Sequence, residues 1–191
     1  MNIFYIDRDP SVAAKMMTDK HIIKMVLESA QLLSTAHRVL DGDEFISFSG
    51  KRKVTRYVLP DDRESILYSA THINHPSSIW VRQSDQHYNW LVYHFVALCE
   101  EYTVRYKKTH KSQTLFPYLK NLPTNIPKAG FTSPPCAMDD AYIISEDAVE
   151  NYRNYYSCGK SHLHQWTNRP IPEWVLKYQN NQKRRSAEIS V

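Results

Sequence analysis

The chain has 191 residues, a length that one hydrophobic core can serve, so a single domain is expected. A composition that is 42% hydrophobic and 23% charged, with 4 Gly and 10 Pro, excludes collagen-like and low-complexity classes. The formal charge is +4, but Lys177, Lys183, Arg184 and Arg185 against Glu188 place +3 of it in the tail, leaving +1 for the body. Net charge by itself therefore says little about a nucleic-acid partner.

In chain order, Asn2-Ile3-Phe4-Tyr5-Ile6 reads as a brief strand or an extended arm laid on the body. Asp9-Pro10 signals a helix start, because Asp caps free N–H groups and Pro suits the first helical position. Nothing breaks the helix before Asp41-Gly42-Asp43, and Ala13, Met16, Met17, Ile23, Val26, Leu27, Ala30 and Leu33 recur at three- and four-residue steps. The pattern predicts one amphipathic helix of about thirty residues. Residues 43 to 62 read as a loop with one strand near Val54–Val58, and Lys51, Arg52, Lys53 and Arg56 form either a solvated run or a phosphate contact.

A short helix is expected from Asp61 or Asp62 to about Thr71, interrupted by His72-Ile73-Asn74-His75-Pro76 and followed by a helical turn over Ser77 to Arg82. Ser84 can cap a second long helix to about Lys107, with Trp90, Leu91, Phe95, Leu98, Cys99 and Tyr102 as its buried stripe. Pro117, Pro123, Pro127, Pro134 and Pro135 exclude a long regular element between 112 and 140. Ser145, Glu146 and Asp147 start another helix that Gly159 stops. After Arg169-Pro170-Ile171-Pro172 the chain turns polar, so residues 1–176 are expected to form a mainly α, compact helical domain with two long helices and Pro-rich loops, and 177–191 a disordered basic tail.

Cys99, Cys136 and Cys158 have no paired spacing, which suggests neither a disulfide framework nor a zinc ribbon. No signal-peptide pattern and no long apolar run is present, so the expectation is a soluble cytoplasmic protein without membrane contact. The His72/His75 and His162/His164 pairs lack a matching carboxylate or Cys, and neither a metal nor another cofactor is expected.

Chemistry concentrates in three places. On the first long helix His21, Lys24, Glu28 and Gln31 form a polar stripe, with His21 and Glu28 two turns apart and Lys20 beside them. One reading makes Glu28 a general base or charge stabiliser while His21 and the lysines hold an anion; the other is a wet helix face with an ordinary Lys24–Glu28 pair. His72, Asn74 and His75 sit at a helix break, where binding groups gather, though a His ring there can also simply cap a helix. From Tyr152 to Trp166 the rings of Tyr152, Tyr155, Tyr156 and Trp166 alternate with Arg153 and Lys160, which suits either stacking on an opened nucleic-acid strand or packing on the core. Tyr, Trp and Phe make up 12% of the chain, so some rings are expected to face a ligand.

Asp19-Lys20-His21-Ile22-Ile23 with Glu28, Asn74-His75-Pro76 with Trp80, and Tyr152-Arg153-Asn154-Tyr155-Tyr156 with Gly159-Lys160 fall in an order that resembles the pyrimidine-dimer DNA glycosylases of the bacteriophage endonuclease V type and their bacterial relatives. The resemblance implies a compact helical fold, DNA as partner, and attack of an N-terminal α-amine on C1′ of the damaged nucleotide, followed by β-elimination. It implies that Glu28 stabilises the cationic sugar and moves protons, and that His21 positions the phosphate. Lys20, Lys24, Asn74, His75, Arg82, Arg153, Tyr155, Tyr156, Lys160 and Trp166 are then the expected DNA contacts. The family exposes a Thr by removing the initiator Met, whereas here Asn2 follows Met1. Either the Met1 amine serves, or the lyase step is absent, or the fold has moved to another nucleotide chemistry. Two alternatives stay beside this reading: an enzyme acting on a free nucleotide or nucleoside, and a non-catalytic nucleic-acid-binding module.

Overall fold

The computed structural model describes residues 1–189, with side chains to residue 184. The architecture is mainly α. The helices are α1 (Pro10–Met16), α2 (Asp19–Asp41), α3 (Arg63–Ile66), α4 (Pro76–Gln83), α5 (Asp85–Tyr106), α6 (Phe116–Leu119), α7 (Ala148–Cys158) and α8 (Glu173–Ile189). Strands β1 (Asp43–Ser49) and β2 (Arg52–Val58) pair as an antiparallel hairpin between α2 and α3. The core gathers on α2 and α5, where Ile22, Met25, Leu32, Leu33, Tyr88, Leu91, Phe95 and Leu98 are buried. Residues 2–6 form a buried arm, bent at Phe4, that joins this core.

The expected thirty-residue first helix is instead two helices, since Met17 and Thr18 are extended. The break is stabilised from a distance. The Arg105 guanidinium donates to the carbonyls of Lys15 (2.9 Å) and Met17 (2.6 Å), the Trp166 indole donates to the Met16 carbonyl (2.8 Å), and Thr18 N–H finds the Tyr156 hydroxyl (2.8 Å). Four of the groups that the helix interruption frees are thus paired, and restarting at Asp19 rotates the buried face. Ile22 and Met25 turn inward, while Ile23 and Leu27, expected in the core, are 42% and 38% exposed.

Three further expectations change. The loop over 43–62 carries two strands, joined by a turn whose first central residue, Gly50, has φ 61°. That left-handed conformation is one glycine adopts freely, as type II′ hairpins require. The short helix before His72 stops at Ile66. Glu173–Ile189, largely read as disordered tail, forms α8, because Trp174 and the fully buried Val175 dock its first turn beneath α7 and good helix formers continue it. Ser190 and Val191 lie outside the described residues. The Ser84 cap and α5, the Pro-rich irregular stretch, and α7 ending at Gly159 follow the sequence expectation. Among the described residues no helix is long and apolar enough to cross a membrane, and no group of three or more His, Cys, Asp or Glu side chains could hold a metal ion.

Candidate functional site

The site forms where the N-terminal arm crosses α2. Asn2 Oδ1 accepts from the N–H groups of Ile3 (2.7 Å) and Phe4 (3.0 Å), and its Nδ2 donates to the Ala137 carbonyl at 2.8 Å. These bonds hold Phe4 at φ 53°, a left-handed conformation that costs a bulky residue about 1–2 kcal/mol. The bend sets the Phe4 ring 4.4 Å from His21 and parallel to Tyr155 at 6.0 Å. It also aims main-chain nitrogens at α2. Asn2 N–H donates to Glu28 Oε2 at 3.1 Å, and the Met1 α-amine lies 3.9 Å from Glu28 Oε1, with Lys24 Nζ 3.5 Å from the same oxygen. The Met1 side chain is buried, so the exposed part of this half-buried residue is its main chain.

His21 packs under this group. Its Nδ1 meets the Tyr156 hydroxyl at 2.9 Å, and that hydroxyl accepts from Thr18 N–H and lies 3.3 Å from Thr18 Oγ1. Burial, with smaller contributions from Lys24, Lys160 and His162, pushes the His21 pKa down to about 3. His21 is therefore neutral near pH 7, and any contact it makes with an anion is a hydrogen bond without charge. The buried Tyr156 phenol is held well above its usual range, chiefly by desolvation.

Lys160 lies over the Tyr155 ring at 4.9 Å, placing a cation and a half-exposed ring beside Phe4 and His21. On the other side stands His75, whose pKa is lowered by burial, the N-terminal amine and His72, and raised by Glu28. Its Nδ1 accepts from Ser77 N–H and so caps α4. Met1, Asn2, His21, Lys24, Glu28, His75, Tyr155 and Lys160 are thus drawn to one region. Lys20 and Asn74 are exposed near its rim.

Other expected DNA contacts have internal partners. Arg153 donates to the Ile6 carbonyl and to Asp7 Oδ2, both at 2.8 Å, and lies over Trp174, so it ties the arm to α7. Tyr156 is fully buried and offers no stacking face, Trp166 is bound to the end of α1, and Arg82 turns to Ser78 Oγ at 3.2 Å. Sequence reasoning missed Phe4 and the Ala137 carbonyl, because neither a left-handed bend nor a bond across 135 positions leaves a local signal. It also left Asp19 without a role. That buried carboxylate accepts from Arg105 Nη1 (3.0 Å) and from the Thr167 N–H and hydroxyl (2.9 and 2.7 Å), anchoring the start of α2.

A family model described as pyrimidine dimer DNA glycosylase matches residues 1–114. The match includes the arm, His21, Glu28 and the Asn74–His75 turn, while Ala137, Tyr155 and Lys160 lie beyond it. No curated protein and no solved structure matches the chain.

Proposed function

The chain belongs to the pyrimidine dimer DNA glycosylase family, and on that premise we propose that it excises a damaged pyrimidine from DNA through an N-terminal amine set against Glu28. The observation that carries this reading is the Glu28 carboxylate, with one oxygen 3.1 Å from the Asn2 nitrogen and the other 3.9 Å from the Met1 α-amine. An α-amine is a competent nucleophile without a buried lysine.

In the proposed step the neutral amine attacks C1′ and the glycosidic C–N bond breaks. The base leaves with that electron pair and takes a proton. Glu28 accepts the proton shed by the amine and stabilises the cationic sugar. The C1′–O4′ bond then opens to an imine as Glu28 returns that proton to O4′, and loss of a C2′ proton expels the 3′ phosphate by β-elimination. The buried Met1 side chain supports the Met1 amine as the attacking group without initiator removal. Lys24, Lys160 and the neutral His21 would hold the flanking phosphate, and Tyr155 would support the displaced nucleotide.

The test is incubation with a duplex carrying a single cyclobutane pyrimidine dimer, read for base released after photoreversal of the dimer, since the cut base otherwise stays bonded to its neighbour, and, with borohydride, for a protein–DNA adduct. Base release with an adduct on the N-terminal peptide is expected. Base release without an adduct would remove the lyase step, and neither product from folded protein would overturn the reading.

A further inference from the structure

The β1–β2 hairpin is fastened to the helical body at its base. Arg38 Nη1 donates to the Tyr57 carbonyl at 3.0 Å, and Gly42 packs so closely that an added Cβ would lie 2.6 Å from the Arg38 carbonyl oxygen and 2.9 Å from that of Val58. Beyond that base Phe45, Ile46 and Phe48 are 45%, 54% and 64% exposed. A two-stranded hairpin is marginal in water, and clustered exposed apolar side chains mark interaction surfaces. The register places Phe48 opposite Lys53 and Phe45 opposite Arg56, so rings and cations share faces. Lys51, Arg52, Lys53 and Arg56 form no ion pair among the described residues.

Between β2 and residues 70–75 runs an open cleft of about 820 Å³, whose walls include Arg52, Lys53, Thr55, His72, Asn74 and His75 and no carboxylate. It leads to His75, which is close enough to the N-terminal amine and Glu28 to sense both charges. We propose that this cleft is a second DNA-binding site, in which Arg52 and Lys53 contact phosphates of the duplex whose damaged nucleotide sits at Glu28. The site rests on the glycosylase reading for its register with Glu28, but its chemistry, unpaired cations with uncharged hydrogen-bonding groups and adjacent rings, fits a polyanion rather than a protein surface of mixed charge.

The test compares wild-type protein with Arg52→Gln/Lys53→Gln, and with Lys108→Gln/Lys111→Gln as a charge-matched control on exposed residues elsewhere. Affinity for an undamaged duplex and for a dimer-containing duplex is measured from 50 to 200 mM salt. Two lost phosphate contacts should flatten the slope of log affinity against log salt by about 1.8, so the affinity lost over that range shrinks about tenfold. The control should keep the wild-type slope, the thermal midpoints of all three should agree, and single-turnover base release at saturating protein should stay within twofold. A hairpin variant with the wild-type slope would overturn this proposal while leaving the glycosylase reading intact. A flattened slope in a protein that releases no base would do the reverse.

Discussion

The main-chain nitrogen of Asn2 lies 3.1 Å from Glu28 Oε2 although 26 positions separate them. A carboxylate on a helix is thereby set against the start of the chain, and both groups depend on the same packed arm.

Glu28→Gln keeps the shape of that contact and removes its charge. Base release is expected to fall by at least about 10²-fold, the usual scale of a lost acid–base group, with affinity for the dimer duplex within a few-fold. Single-turnover assays alongside binding titrations check this, and full activity would sink the role given to Glu28.

Tyr156→Phe removes the hydroxyl shared by Thr18 N–H and His21 Nδ1, both in buried residues. Leaving them unpaired should cost about 1–3 kcal/mol. Urea denaturation reads the loss, and an unchanged midpoint would mean that the hydroxyl does not hold the break between α1 and α2.

Three of the four buried histidines set the acid limit. Burial lowers His21 to about 3 and His37 and His94 to about 4, against an unfolded value of 6.5. His94 Nε2 has no hydrogen-bond partner, so a proton there would bury an uncompensated charge. Because the folded values are depressed, the unfolded chain binds more protons below 6.5. Their stabilisation is full above that pH and is lost as pH falls toward 4 and then 3. Near pH 5 the slope should approach about 4 kcal/mol per pH unit if all three remain neutral. Denaturant titrations from pH 7.5 to 4.5 measure it, and a flat profile would contradict the neutral assignments.

A Cβ on Gly159 would lie 2.8 Å from atoms of both the Tyr142 and Tyr155 rings. Its φ is −74°, so the constraint is space and not backbone conformation. Gly159→Ala should cost about 1–3 kcal/mol through overpacking and shift Tyr155 against Phe4. Thermal melts and near-ultraviolet circular dichroism would register both effects, and a neutral substitution would show that the rings yield freely.

Removing residues 177–191 takes away Lys177, Lys183, Arg184 and Arg185 but leaves Trp174 and the buried Val175. Base release should persist with weakened binding at moderate salt. Abolished DNA binding would favour a non-catalytic module working through the tail.

Much of the scaffold was legible because its signals are local. Asp9-Pro10 opens α1, the Ser84 hydroxyl caps α5, Asp147 and Gly159 bound α7, and the apolar stripe of α5 keeps helical period. The His21 to Glu28 spacing likewise places both on one side of α2 without reference to the rest of the chain. The role of Arg153 was not legible, because a cation among tyrosines looks the same in sequence whether it meets a phosphate or, as here, Asp7 and the Ile6 carbonyl.

The rings show the same division. Composition alone established that this modestly charged chain carries more aromatics than its size needs, and periodicity alone established a mainly helical fold. Only tertiary structure decided that Tyr156 is a buried hydrogen-bonding post while Tyr155, one residue earlier, is half-exposed beside Lys160. It also decided that the first helix breaks at Met17 and Thr18, since the bonds that pay for the break come from Arg105, Tyr156 and Trp166. Local propensity fixes which elements form. Which side chains face the site depends on partners brought together by folding, about 90 to 150 positions away in these cases.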